Sequence, residues 1–388
     1  MVMKIGLNTT ALLSPKSGIG QYVQQLSRRL YENPSLDIAF FCGLKWTPEP
    51  LPGDGVTKTF QKYAALNSRT AGIPGLQKAI KKLKEHLRQT AFSVGSSSQG
   101  IDLYHEPNFI PFKSDKPIVI TVHDMSPFRL AHHHKKELVK LFKDKLPAAV
   151  DRATAIIVDS QFVKGEVIDY FPEVADKVFP VHLAAGPEFQ PQSLADCAKF
   201  LASSDLTYQR YILAVGTLEP RKNLISVIRA YVQLPESLRK LYPLVIAGMK
   251  GWHHDDFESA AEALISKGQI RMLGYVADED LPRLYSGATL MVYPSIYEGF
   301  GLPPLEAMAC GTPVITSNVA SLPEVVGDAG ITLAPTNIDG LADAMNRILC
   351  DSDFARQLSA KGLLQAKRFS WEKAADQTVA IYRQVLGL

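Results

Sequence analysis

Glu298 and Glu306 stand with seven residues between them in the stretch Tyr-Glu-Gly-Phe-Gly-Leu-Pro-Pro-Leu-Glu, Tyr297 to Glu306. Gly299 and Gly301 make the loop after Glu298 pliable enough to wrap a phosphate or a sugar. Pro303 or Pro304 suits a first helical turn, so Glu306 is expected at a helix start, where the dipole favours its charge. A carboxylate there can accept two hydrogen bonds from a vicinal diol such as a ribose. Glu298, on the loop, would be free to meet a second group of the same ligand. The spacing by itself leaves equally open that these are two unrelated glutamates, one on the surface and one at a helix start.

A second group follows the apolar run ending at Val215: Gly216-Thr217-Leu218-Glu219-Pro220-Arg221-Lys222-Asn223. Glycine lets a ligand approach the backbone, and Arg221 and Lys222 beside a helix N-terminus make a site for a diphosphate. Arginine supplies a planar fork and lysine a point charge. A solvated loop carrying two idle cations is the bland alternative, and the position directly after a strand favours the site. His123, at the end of Ile118-Val119-Ile120-Thr121-Val122 and followed by Asp124, reads on its residues alone as a satisfied structural histidine. His105 is a lesser candidate at another strand end. Gly18 and Gly20, closing a long loop from Thr10 through Ser17, could let backbone amides approach a phosphate or an acceptor, although a Gly-x-Gly alone is also an ordinary turn.

His132, His133 and His134 point in different directions on a helix and read as a solvated basic face rather than a metal tract, as does His253-His254-Asp255-Asp256. Asp278-Glu279-Asp280 opens an expected helix, and no Asp-x-Asp pair directly after a strand reads as suited to a metal diphosphate. Side-chain cations are therefore expected to take the metal's place, with no cofactor beyond the donor molecule.

These residues need elements to position them. Short apolar runs alternate with longer amphipathic segments, the βαβ signature of parallel sheets covered by helices. The first series runs Lys4 to Leu7, Ile38 to Phe41, Ile101 to His105, Ile118 to His123, Ala155 to Asp159 and Lys177 to Val181. The second runs Tyr211 to Val215, Leu244 to Ala247, Ile270 to Leu273, Thr289 to Tyr293, Pro313 to Thr316 and Ile331 to Leu333. Helices are expected at Leu224 to Val232, Asp278 to Gly287, Pro304 to Ala309 and Asp339 to Leu349. This predicts an α/β protein of two Rossmann-like, doubly wound domains facing one cleft: residues 1–186, a linker over 187–207 that lacks a clear period, and 208–370. Ligands in such sheets sit beyond the carboxyl ends of the strands, where the candidate residues lie.

A chain of 388 residues is long for a single core, which agrees with two domains. Hydrophobic residues at 46% and charged residues at 21% are ordinary for a globular protein and exclude disorder. A net charge of +3 gives no ground for a nucleic-acid partner. Four scattered cysteines without a Cys-x-x-Cys, Cys42, Cys197, Cys310 and Cys350, fit buried reduced thiols in the cytoplasm. The start Met-Val-Met-Lys runs straight into a strand, and no apolar span of ~20 residues occurs, so a cytoplasmic location is expected.

The Glu, seven residues, Glu motif in Ser-Ile-Tyr-Glu-Gly-Phe-Gly-Leu-Pro-Pro-Leu-Glu-Ala-Met-Ala-Cys-Gly-Thr-Pro-Val, together with Val-Gly-Thr-Leu-Glu-Pro-Arg-Lys-Asn, resembles glycosyltransferase family 4 over nearly the whole chain. The resemblance implies the GT-B fold and retention of anomeric configuration. The wording Glu-Gly-Phe-Gly-Leu-Pro and the Tyr-His-Glu-Pro-Asn-Phe of Tyr104 to Phe109 look most like bacterial mannosyltransferases of O-antigen and related polysaccharides. Carried onto this chain, it assigns Glu298 to the donor sugar, Glu306 to the ribose, and Arg221 and Lys222 to the diphosphate. It also puts Gly216, Thr217, Gly299, Phe300, Gly301 and Leu302 around the nucleotide sugar, Gly274, Tyr275 and Val276 at the base, Gly18 and Gly20 at the cleft, and His123 at the donor sugar. The terminal helix, 371–388, would cross back to the first domain.

The reaction so implied is mannose transfer from GDP-mannose to a hydroxyl of a lipid-linked or oligosaccharide acceptor. A UDP-sugar or GDP-rhamnose donor, a nucleotide-sugar epimerase and a non-catalytic binder are the rivals. The segment 75–88 sets Leu76, Ile80, Leu83 and Leu87 on one helical stripe with Lys78, Lys81, Lys82, Lys84 and Arg88 around it. That pattern suits a helix lying on anionic lipid, and equally a surface helix packed on its own domain.

Overall fold

The computed structural model describes residues 2–13, 18–50, 74–249 and 255–388. The chain divides into two compact units: one of Met1–Arg129, Lys136–Leu183 and Trp371–Leu388, the other of Leu130–Lys135 and Ala184–Ser370. Among the described residues no helix is long and apolar enough to cross a membrane.

The first unit is built on strands β1 (Met3–Asn8), β2 (Leu36–Cys42), β3 (Lys45–Thr47), β4 (Leu103–Glu106), β5 (Ile118–Val122), β6 (Ala155–Val158) and β7 (Val178–Pro180). Their order in the sheet is β3-β2-β1-β4-β5-β6-β7. All neighbours pair in parallel except β2 with β3, an antiparallel ribbon that the sequence reading missed because Lys45–Thr47 is too short to show a period. Leu103, Tyr104, Ile118, Val119, Ile120, Ile156 and Ile157 are buried with no alternation, as strands covered on both faces must be. The helix Trp371–Leu386 belongs to this unit: Trp371 is buried 6.2 Å from the Tyr22 ring, and Arg29 pairs with Glu372 at 2.8 Å.

The second unit has β8 (Ile212–Val215), β9 (Leu244–Ala247), β10 (Ile270–Gly274), β11 (Leu290–Tyr293), β12 (Val314–Ser317) and β13 (Ile331–Leu333), in the order β10-β9-β8-β11-β12-β13 and all parallel. The order reverses between β8 and β11, and between β1 and β4 in the first unit, which are the switch points where open α/β sheets bind ligands. Leu341, Met345 and Ile348 recur at helical spacing on one face of the helix Ile338–Cys350 and are buried in the core that also holds Val227 and Tyr231. Burying each such side chain stabilises by about 2 kcal/mol.

Three expectations need correction. The segment 187–207 is not an unstructured linker: it holds a helix, Leu194–Ser203, opened by a capping box in which Ser193 and Asp196 satisfy each other's backbone N–H groups. Its buried residues Cys197 and Leu201 are one turn apart, too short a pattern to stand out beside the Gly-Pro and Ser-Ser around it. Gly18 and Gly20 lie in the first turn of the helix Gly18–Tyr31 rather than in a loop, and Ser17 lies outside the described residues. Of the cysteines, Cys197 and Cys310 are buried, but Cys42 is half-buried and Cys350 exposed.

Candidate functional site

Arg221 and Lys222 sit in a single 3-10 turn, Pro220–Lys222, directly after β8. The turn is closed by Asn223, held in the left-handed region at φ 55°. Asparagine tolerates that conformation, and its side chain fixes it by donating to the Pro294 carbonyl at 3.1 Å and the Pro335 carbonyl at 2.8 Å. The chain before the turn is equally constrained. Gly216 and Gly248, after β8 and β9, have φ of +139° and +155°, and a Cβ on Gly248 would meet the Gly216 carbonyl oxygen at 1.9 Å. The two strand ends can approach because Gly248 lacks a Cβ, and both backbones take a conformation that favours glycine.

Glu298 reaches this turn from the end of β11, across the switch point. Its Oε1 lies 2.6 Å from Lys222 Nζ and accepts from Tyr293 at 2.8 Å and Ser295 at 2.6 Å. Its Oε2 lies 3.0 Å from Arg221 Nη1, which also donates to the Tyr297 carbonyl at 3.2 Å. Lys222 Nζ donates to the Tyr293 hydroxyl as well, at 2.5 Å. Burial by itself would raise the Glu298 pKa, but the two cations and their hydrogen bonds hold it at about 2. Burial draws Lys222 below the ordinary lysine value, partly offset by Glu298. The carboxylate expected to lie free on a loop is therefore buried and held through both of its oxygens. What it does in this arrangement is hold two cations in fixed places at the carboxyl ends of β8 and β11.

Glu306 is not at the helix start. The helix runs Leu302–Ala309, with a proline in its first turn and no acidic residue there, and Glu306 is buried in its middle. The dipole argument does not apply to it; its Oε2 instead accepts from Tyr285 at 2.9 Å. The reason is that the helix begins at Leu302, immediately after Gly301 at φ +113°, two residues before the second proline. Ser321 donates to the carbonyls of Glu298 at 2.9 Å and Phe300 at 2.6 Å, which shapes the Gly299–Gly301 turn. Gly274, at φ +67°, accepts through its carbonyl from Gly248 N at 2.7 Å, so the β9 and β10 ends are adjacent. Tyr275 is 62% exposed, an open aromatic face beside that turn, with Val276 half-buried after it; Thr217 is half-buried beside Gly216.

In the first unit His123 is buried at the end of β5. Its Nδ1 lies 2.8 Å from Asp159 Oδ2 and its Nε2 2.9 Å from the Pro107 carbonyl oxygen. A carbonyl only accepts, so Nε2 carries a hydrogen, and Nδ1 shares a proton with the carboxylate. Burial pulls the His123 pKa down, yet the Asp159 carboxylate more than offsets it and the net direction is up. Burial likewise raises the Asp159 pKa, which His123 partly offsets. Both ring nitrogens are thus committed inside this unit, and a ligand contact through the ring would have to displace one of them. His105 is structural: Nδ1 lies 2.6 Å from the Tyr382 hydroxyl and Nε2 2.9 Å from Thr121 Oγ1, and burial lowers its pKa to about 3.

Several residues at these sites were missed. Tyr293 and Ser295 complete the Glu298 shell, and Glu219 pairs with Arg221 at 2.8 Å. Asp159 follows β6, and Glu106 ends β4. Glu106 accepts from Asn8 and Tyr104, both at 2.6 Å, across the β1–β4 switch point, and burial raises its pKa to about 7. The available signal was the strand-end rule, which applies to Asp159 and Glu106 as much as to His123. His132 is exposed on a short turn, and its ring lies 4.2 Å from that of His133. His253 and His254 lie outside the described residues.

Residues 202–379 match the family described as glycosyl transferases group 1, and residues 16–184 match glycosyltransferase family 4. The chain is 38% identical over 384 residues to an O-antigen chain mannosyltransferase B of Escherichia coli, covering 98% of this chain and 100% of that one. It is 33% identical over 282 residues to a serotype-specific mannosyltransferase of the same organism, covering 71% of this chain and 34% of the relative. Among solved structures it resembles a sucrose-phosphate synthase of Thermosynechococcus elongatus, with TM-score 0.72, 20% identity and 99% of each chain covered. It also resembles a glycosyltransferase of lipopolysaccharide biosynthesis, with TM-score 0.66, 16% identity and coverage of 98% and 99%.

Proposed function

The chain belongs to glycosyltransferase family 4 and carries the GT-B fold of two Rossmann-like units, and on that premise we propose that it transfers mannose from GDP-mannose, with retention, to a hydroxyl of a lipid-linked glycan. The observation that carries the chemistry is the pair Arg221 and Lys222, fixed by Glu298 at the carboxyl ends of β8 and β11. The mannose and the glycan acceptor rest on the relative that is alike over its full length.

In this reading the transition state is oxocarbenium-like, and negative charge grows on the departing diphosphate. Arg221 and Lys222 stabilise that charge without a metal. Glu298 keeps both cations aimed and orients the donor sugar, Glu306 receives the ribose hydroxyls, and the Gly274-Tyr275-Val276 turn takes the base. Attack comes from the face that the diphosphate leaves, and a phosphate oxygen takes the acceptor proton.

The acceptor's lipid calls for contact with a membrane surface at its cytoplasmic face, and we assign that contact to the helix Pro74–Gln99. Leu83, Leu87 and Val94 lie on one helical stripe and are 58%, 48% and 66% exposed, with Lys82, Lys84 and Arg88 flanking them. An apolar stripe bordered by cations matches an anionic lipid surface, each basic residue adding about 1 kcal/mol there. Leu76, Lys78 and Lys81 fall outside the side chains described, and Ile80 of the expected stripe is half-buried.

The test is incubation of the purified chain with GDP-mannose, UDP-glucose and GDP-rhamnose and an undecaprenyl-linked oligosaccharide, with the anomeric proton of the product read by NMR. An α-mannosylated product from GDP-mannose alone supports the reading. Transfer only from a UDP-sugar overturns the donor, and sugar isomerisation without acceptor overturns the transferase.

A further inference from the structure

Glu219 is a carboxylate to which the proposed reaction gives no task. Its side chain is 7% exposed, and Oε1 lies 2.8 Å from Arg221 Nη2. Arg221 turns its other terminal nitrogen to Glu298 Oε2 at 3.0 Å, while Lys222 Nζ lies 2.6 Å from Glu298 Oε1. Two cations thus face two carboxylates, and the formal charge of the group is zero. A guanidinium offers its donors in a rigid fork, and it is with paired donors that it grips a phosphate bidentately. Here a carboxylate stands at each terminal nitrogen of that fork.

The two carboxylates are not held alike. Glu298 is fixed by Lys222, Tyr293 and Ser295 whether or not Arg221 stays. Among the described residues the side chain of Glu219 is paired through Arg221. An anion entering the site can therefore displace Glu219 from Arg221 without dismantling the Glu298 cluster.

We propose that Glu219 is a positioning residue that competes with the diphosphate for Arg221. It holds the guanidinium in place before the donor arrives. Once the sugar has gone, its charge opposes the remaining nucleoside diphosphate and returns Arg221 to the ion pair as the product leaves. A neutral group attracts a polyanion far less than two bare cations do, so Glu219 trades affinity for release. The proposal rests on the reading of this group as the diphosphate site.

The experiment is titration calorimetry of the full chain with GDP and with UDP, on the wild type, Glu219→Gln and Glu219→Asp. Glutamine keeps the acceptor oxygen and removes the charge. The expected result is GDP binding about tenfold tighter in Glu219→Gln, as removal of one nearby like charge implies. Its dependence on salt should be steeper, and the constant for inhibition by GDP should fall in step. Glu219→Asp should return affinity towards the wild type. Loss of a purely structural contact would weaken binding, so unchanged or weaker binding in Glu219→Gln overturns the proposal, as does equal tightening in Glu219→Asp. If Glu219→Gln does not fold, the wild type decides: weak salt dependence of GDP binding supports a neutral group, and a steep one overturns it. Should the wild type bind neither GDP nor UDP, the diphosphate reading fails, and the proposal with it.

Discussion

Replacing Glu298 with glutamine removes one charge from a group that packs two cations against it, with almost no change in shape. An ordinary glutamate titrates at 4.5 and this one at about 2, a gap worth about 3 kcal/mol of folding free energy. Because the folded value is the lower one, that contribution is fully present above 4.5 and is lost as the pH falls through 2. Near pH 3 about half of it remains. Glu298→Gln also leaves Lys222 buried beside Arg221 without its counter-ion, and breaking such a pair costs about 3–5 kcal/mol. The two figures describe the same interaction from its two sides and are not summed. The expected result at pH 7 is a loss of about 3 kcal/mol, or roughly 10 °C in the unfolding of the unit that holds β8 to β13. Scanning calorimetry at pH 7 and pH 3 reads it, and the difference between wild type and variant should shrink by about half at the lower pH. Transferase activity should fall about 100- to 1000-fold, the usual effect of unsettling groups that stabilise developing charge. A stability loss below about 1 kcal/mol at pH 7, or one equal at both pH values, would refute the argument that Glu298 is ionised and held by these cations.

Glu306→Ala should weaken GDP binding about 10- to 100-fold, the cost of charge-assisted hydrogen bonds to a diol, and unchanged affinity by calorimetry would remove the ribose assignment. For His123 the folded pKa is raised, so its contribution to stability is complete below 6.5 and is lost as the pH rises through the folded value; Asp159→Asn should lower that value, as read from imidazole nitrogen shifts by NMR. Gly248→Ala should cost about 3 kcal/mol or more, because the new Cβ meets the Gly216 carbonyl and the backbone is already at φ +155°; an undisturbed melting temperature would contradict it. Changing Leu83 and Leu87 to serine should release the chain from phosphatidylglycerol vesicles while leaving neutral vesicles and fold unaffected, and equal co-sedimentation of the variant would end the membrane assignment.

The parallel sheets were legible because a strand buried on both faces is a short, continuous apolar run. Leu244–Ala247 and Ile331–Leu333 came out with the same ends, and the other expected strands within about two residues. The ribbon Lys45–Thr47 and the helix Leu194–Ser203 escaped, one because three residues carry no period and the other because its stop lies in a stretch rich in turn residues. The strand-end rule singled out Arg221, Lys222, Glu298 and His123, which the structure places after β8, β11 and β5, but it was not carried on to Glu106 and Asp159, which obey it equally.

By itself, then, the sequence determined which residues stand at strand ends and which short motifs carry charge, because those depend on local hydrophobic runs and turn residues. Only the tertiary structure decided what those charges do. Lys222 and Arg221 lie 76 and 77 residues from Glu298 along the chain, and no local pattern tells that they meet. Their meeting turns an apparently free loop carboxylate into a buried anion with a pKa of about 2. It also fills both ends of the Arg221 fork with carboxylates, since ionisation and hydrogen-bond occupancy are set by distances in space rather than along the chain.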